Sequence, residues 1–69
     1  MKTKIKNISR LKTGMKFYLV KGTYKKTVHR YRIFYPTGTG FMCIDCDTNR
    51  MHLSPILKRE IIEYGYWNI

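Results

Sequence analysis

A two-residue alternation of apolar and polar side chains runs through the first half of the chain, and it constrains the fold more than any other feature. Met15, Phe17 and Leu19 fall on one side of a run that follows Gly14 and stops at Gly22. Successive side chains of an extended strand point to opposite faces. This spacing therefore predicts a strand with one buried face.

Further runs of the same kind follow. Residues 27–35 are rich in β-branched and aromatic side chains, which favour a pleated, half-buried strand. The loop over residues 36–40 ends this run, and a third strand is predicted to begin at Phe41. The turn-forming residues Asp47-Thr-Asn49 then separate it from a short strand over residues 50–53, which would pair back as a hairpin.

The last part of the chain gives weaker signals. Ser54-Pro55 favours a short helical turn near residues 55–58, because Ser caps helices and Pro suits their first position. We predict a strand over residues 60–69, where apolar and aromatic side chains alternate. The alternative is a helix over residues 55–64 that stops at Gly65.

The fold class that follows is mainly β. Five short antiparallel strands in 69 residues favour a small SH3-like barrel, because closure removes exposed sheet edges. An open sheet with one helix is the alternative. Residues 1–69 are expected to form one small domain, since a domain usually needs about 50 residues or more. Residues 1–12 are expected to form a flexible basic arm, although Ile5, Ile8 and Leu11 have the spacing of one or two helical turns.

The charge of the chain is unevenly distributed. The net charge is +10, yet the first 32 residues hold eleven basic side chains and no acidic one, whereas the remainder holds three basic and four acidic side chains. Such asymmetry favours a dedicated electrostatic face in the first half. We therefore expect a nucleic acid, or another polyanion, to be the binding partner.

Basic and aromatic side chains are interleaved in the first two predicted strands. If these strands pair through the turn at residues 22–26, Lys16 and Tyr18 would share one surface with Arg30 and Arg32. Arg and Lys neutralise phosphates, and exposed Tyr stacks on unpaired bases. The predicted nucleic-acid-binding residues are Lys16, Tyr18, Lys21, Tyr24, Lys25, Lys26, Arg30 and Arg32, with Lys2, Lys4 and Lys6 in the basic arm.

A second function fits the same charge. An acidic protein surface would be attracted to a basic face as strongly as a nucleic acid. The chain uses Lys, Ile, Asn, Thr and Tyr heavily and contains no Ala, a bias typical of small proteins from AT-rich genomes and bacteriophages. The alternative is thus a phage-type or mobile-element-type modulator that binds and inhibits or redirects an acidic host polymerase, nuclease or defence complex. Tyr64, Tyr66 and Trp67 are its candidate anchors.

Cys43-Ile-Asp-Cys46, together with His29 and His52, contains the residue types of a Cys₂His₂ zinc site. Positions 43 and 46 of one strand point to opposite faces, however, so we expect no bound metal and no cofactor. Neither histidine has a nucleophile or a paired carboxylate at a catalytic spacing, which favours a binding protein over an enzyme. His29 is expected to pack beside Tyr31, and His52 to lie at a hairpin end.

The cellular location is predicted from apolar runs. No run reaches the ~7–15 residues of a signal-peptide core or the ~18 of a membrane span. We therefore expect a cytoplasmic protein with reduced cysteines and no membrane partner.

Overall fold

An antiparallel β-sheet is the main element of the structure, a computed structural model that describes residues 3–67. Within these residues, the elements are β1 (Thr3–Lys4), a 3₁₀ turn (Ile8–Arg10), β2 (Lys16–Lys21), β3 (Thr27–Pro36), β4 (Gly40–Asp45), β5 (Arg50–Met51), β6 (Ile56–Leu57), α1 (Lys58–Tyr64) and β7 (Gly65–Trp67). The three long strands β2, β3 and β4 therefore lie where the alternation predicts them.

The strands follow the order β1-β7-β2-β3-β4-β5, and every pair is antiparallel. β6 also pairs with β4, so that Gly40 lies opposite Leu57 while Ile44 lies opposite Met51 of β5. β5 and β6 thus share one edge of β4. Within residues 3–67, no strand pair joins this edge to β1, and the sheet remains open.

The prediction of a mainly β, antiparallel fold is confirmed, but the closed five-stranded SH3-like barrel is not. Seven strands form an open sheet, which corresponds to the alternative of an open sheet with one helix. The physical reason is the coverage of the apolar face. Ile61 of α1 is fully buried in the core, and Ile8 of the 3₁₀ turn packs against it, so the core is enclosed without curling the sheet on itself.

The core lies on one face of the sheet, as the alternation predicts. Phe17 and Leu19 of β2 are buried, whereas Met15, just before the strand, is partly exposed. The buried hydrophobic side chains among residues 3–67 are Ile5, Leu11, Phe17, Leu19, Tyr31, Ile33, Phe41, Cys43, Ile56 and Ile61. Tyr64 and Trp67 pack against this set from the last turn of α1 and from β7.

The N-terminal segment belongs to the fold, so the prediction of a flexible arm is wrong for residues 3–12. Ile5 is 1% exposed and Leu11 is 5% exposed. The backbone N–H of Ile5 donates to the carbonyl of Gly65 at 3.0 Å, beside the β1–β7 pair. Ile5, Ile8 and Leu11, which are spaced by three residues, anchor the segment to the core, and a single 3₁₀ turn lies between the two buried ones. Lys2 lies outside the described residues.

The C-terminal segment differs from the preferred prediction. Residues 60–64 are helical, and only residues 65–67 of the predicted strand are extended; residues 68 and 69 lie outside the described part. The predicted helical turn near residues 55–58 is also wrong at Ile56 and Leu57, which form β6. The helix ends at Gly65, where a Cβ would overlap the carbonyl oxygen of Ile61. No helix in the described part of the chain is long and apolar enough to cross a membrane.

Gly40 is a sheet position that has no room for a side chain. A Cβ there would overlap the backbone of Ile56 and Leu57, while a Cβ on the nearby Gly38 would meet nothing within 4 Å. We expect Gly40→Ala to lower the free energy of unfolding by roughly 1–3 kcal/mol, the usual cost of overpacking. Urea unfolding followed by Trp67 fluorescence measures it. Gly38→Ala is the matched control, with a change within about 0.5 kcal/mol; equal losses in both variants would contradict the assigned β4–β6 pairing.

Candidate functional site

The face of the sheet opposite the core is not covered by the helix. In β2, the buried Phe17 and Leu19 alternate with the exposed Lys16 and the half-buried Tyr18 and Val20. We call this surface the outer face. According to the strand registers, its members are Lys4, Lys16, Tyr18, Val20, Val28, Arg30, Arg32, Tyr35, Met42, Ile44, Met51 and Tyr66. It combines seven basic or phenolic side chains with five apolar ones.

A line of four side chains crosses the outer face. Lys4 lies opposite Tyr66, Tyr66 opposite Tyr18, and Tyr18 opposite Arg30. The two tyrosine rings are stacked, with centroids 5.7 Å apart and an interplanar angle of 16°. The Lys4 ammonium lies 5.4 Å from the centroid of the Tyr66 ring, a cation–π arrangement. We call this line the tyrosine row; it is a stacked pair of aromatic rings with a cation at each end.

A pair of like charges lies next to the tyrosine row. Lys16 is directly opposite Arg32, both are exposed, and neither forms a salt bridge within residues 3–67. Directly opposed like charges on neighbouring strands destabilise a sheet. An anion bound between these two side chains would be attracted by both.

The strand pairing brings four of the eight predicted residues onto one face. β2 and β3 pair as expected, and Lys16, Tyr18, Arg30 and Arg32 share the outer face. The Arg30 guanidinium also lies 3.8 Å from the Asp47 carboxylate. Both side chains are more than half exposed, so solvent screens this pair and it contributes little.

The other four predicted residues lie elsewhere. Lys21 lies at the core side of β2, where its ammonium forms a salt bridge with Glu60 and lies 5.5 Å from the centroid of the Tyr64 ring. Tyr24, Lys25 and Lys26 are exposed in the loop between β2 and β3. The Tyr24 side chain is fully exposed, so this loop carries a free aromatic side chain between cations.

Two members of the outer face were not predicted there. Lys4 was expected in a flexible arm, and Tyr66 was expected to anchor a protein partner. Their positions depend on β7 lying between β1 and β2, a pairing of chain ends that no local pattern shows. Partial burial lowers the pKa of Lys4, and the nearby Glu63 carboxylate opposes this effect. The Lys4 ammonium also donates to the carbonyl of Ile62, which holds its side chain at the sheet edge.

The cysteines and histidines do not converge. Cys43 is buried in the core and Cys46 is exposed. Burial, with a smaller contribution from Cys46, raises the pKa of the Cys43 thiol to about 12. Residues 3–67 contain no group of three or more His, Cys, Asp or Glu side chains that could hold a metal ion.

Both histidines pack against Tyr31. The His29 ring is stacked 6.5 Å from the Tyr31 ring, as predicted, and the His52 ring meets it edge-on at 5.6 Å. His52 follows β5, at the predicted hairpin end, with its Nδ1 2.8 Å from the Ser54 carbonyl oxygen.

The chain matches no protein-family model, no curated protein and no solved structure. The chemistry of the outer face is that of cations arranged around a stacked pair of tyrosines.

The Lys16–Arg32 contact can be tested through stability. We expect Lys16→Glu to raise the free energy of unfolding by roughly 0.2–1 kcal/mol, because it replaces an opposed like-charge pair with an attractive one. Chemical unfolding at low and high salt measures the gain, which should shrink as salt screens it. Lys25→Glu in the exposed loop makes the same change in net charge. If it stabilises equally, the local pair has no special role.

The two thiols should differ in reactivity. Alkylating agents react with the thiolate, so the exposed Cys46 should be modified in the folded protein while Cys43 stays protected until denaturant is added. Mass spectrometry of the iodoacetamide-treated protein, with and without urea, counts the modified sites. Double modification of the folded protein at the same rate would contradict the buried position of Cys43.

Proposed function

We propose that this protein binds nucleic acid through its outer face. The observation that carries the proposal is the opposition of Lys16 and Arg32 on an uncovered sheet face, without an acidic partner in the described part of the chain. Natural sheets avoid such pairs because they cost stability. A phosphate group that accepts hydrogen bonds from both side chains would turn this repulsion into attraction.

The neighbouring side chains extend the same chemistry. Arg30 and Arg32 are two residues apart in β3 and project from the same face. Each guanidinium can donate two parallel hydrogen bonds to a phosphate. Lys16 contributes a mobile point charge beside them. Three cations on two adjacent strands would track a phosphate backbone, while the tyrosine row offers a surface for sugars and bases.

The loop between β2 and β3 would add a second contact. Tyr24 has no packing role because it is fully exposed, and Lys25 and Lys26 follow it directly. In our proposal, these two lysines contact phosphates and Tyr24 stacks on a base. Lys21 has no direct role, since Glu60 already neutralises it.

The second candidate function is binding to an acidic protein, as a modulator of phage or mobile-element type would do. The observation that favours it is apolar. Val20 lies opposite Val28, which is 40% exposed, and Met51, at the other side of the outer face, is 46% exposed. Apolar side chains beside arginines suit the centre of a protein interface. A complex that survives both nuclease treatment and high salt would favour this candidate, whereas nuclease-sensitive recovery would contradict it.

The nucleic-acid proposal is tested by fluorescence anisotropy with a labelled oligonucleotide at several salt concentrations. The logarithm of the binding constant should fall linearly with the logarithm of salt, with a slope of about −0.9 per phosphate neutralised on a duplex and about −0.7 on a single strand. Replacing both Arg30 and Arg32 by Ala should weaken binding to all sequences and reduce the steepness of the slope by roughly two.

The matched control removes two cations from the helix instead. Lys58 and Arg59 are exposed at the start of α1 and are not members of the outer face. Their double Ala variant has the same net charge as the Arg30 and Arg32 variant, so it should retain most of the affinity. Equal losses in both variants would show that total charge, not the outer face, determines binding. A wild-type protein that binds no oligonucleotide at low salt would overturn the proposal.

A further inference from the structure

We infer that a groove around Trp67 accepts an unpaired base, so that the ligand of this protein is single-stranded nucleic acid. This inference rests on the proposed function, and it names the substrate class. Two adjacent clefts form the groove, with volumes of about 540 Å³ and about 510 Å³. Arg10 and Trp67 line both of them. Each cleft is within the usual size range of small-ligand sites, about 300–1,000 Å³.

The charge of the groove selects an anion. Lys4, Lys6 and Arg10 line the first cleft, and Lys12 lines the second. None of the residues that line either cleft is acidic. The other polar side chains are the amide of Asn7 and the hydroxyls of Thr3 and Ser9, which can donate or accept hydrogen bonds at a base edge.

Trp67 provides the aromatic surface. It is half-buried and packs against the core, and its backbone is held between Thr3 of β1 and Phe17 of β2. Its ring is thus fixed in place while part of it remains open to the groove. A fixed aromatic ring surrounded by cations is the arrangement that binds an unpaired base and its phosphates.

The groove is continuous with the outer face. Lys4, at the β1 edge of the sheet, belongs both to the tyrosine row and to the first cleft, whereas Trp67, next to Tyr66 in β7, projects from the opposite side of the sheet. A strand whose phosphates lie on Lys16, Arg30 and Arg32 would therefore reach the groove by crossing the tyrosine row and passing around the β1 edge at Lys4. The bases of a duplex are paired and stacked inside the helix, so only a single strand could place a base beside Trp67.

The experiment uses the intrinsic fluorescence of the protein, because Trp67 is its only tryptophan. A short oligothymidylate is titrated into the full chain, and the same oligonucleotide annealed to oligoadenylate is titrated separately. We expect the single strand to quench Trp67 and the duplex to bind more weakly without quenching. N-acetyltryptophanamide, titrated in parallel, corrects for light absorbed by the nucleotides.

Variants test which side chains form the groove. Trp67→Ala should weaken single-strand binding roughly five- to 150-fold, which is what stacking on one base is worth. Trp67 also packs against the core, so its loss threatens the fold itself. Arg10→Ala therefore provides the independent test. Arg10 is exposed, so its loss should reduce affinity for the single strand and leave duplex affinity nearly unchanged. Lys58→Ala is the matched control and should behave as the wild type.

The outcomes separate this inference from the proposed function. Binding of the single strand without quenching of Trp67, or equal affinity for the duplex, overturns the groove and leaves the outer-face proposal standing. Equal effects of Arg10→Ala on single-strand and duplex affinity would also overturn the groove and leave the outer-face proposal standing. If neither oligonucleotide binds at low salt, both proposals fail together.

Discussion

Burial of a single face of the sheet is the constraint on which the rest of the structure depends. A chain of 69 residues can supply only one layer to cover its sheet, and here that layer consists of α1 and the segment between β1 and β2. The layer meets Phe17, Leu19 and Ile33, which all project from one side. The opposite side has no such cover, so its side chains must be compatible with water or with a partner.

The side chains on that uncovered side are mainly basic and aromatic. Asp47 lies 3.8 Å from Arg30 and Glu63 lies near Lys4, while Glu60 forms a salt bridge with Lys21 on the core side. On the outer face, the Lys16–Arg32 pair is therefore left without an acidic partner among residues 3–67. The outer face keeps Lys16 against Arg32 and stacks two tyrosines beside them. Charge placement, more than total charge, thus distinguishes the outer face from the rest of the described surface.

Short-range sequence patterns predicted the elements that are determined by contacts between residues close in the chain. The hairpin of β2 and β3 needs only its own alternation and the turn at residues 22–26, so the shared face of Lys16 and Arg32 was predictable. For the C-terminal segment, a helix was only the alternative prediction, because the apolar residues between 60 and 67 fit an extended strand as well as a helix. The positions of Lys4 and Trp67 depend on β7 pairing with β1 and β2, a contact between distant parts of the chain. No period in the sequence encodes that pairing.

The position of β7 has a consequence for how the protein is made. β7 lies between β1 and β2, although it is synthesised after every other strand of the described chain. Non-local pairing of this kind is slow, since a long loop must close before its contacts form. Until the segment that contains Gly65 has left the ribosome, β1 has no partner, and the basic first part of the chain is held only by its hairpins. Until then, the edge of β2 that pairs with β7 is unpaired as well.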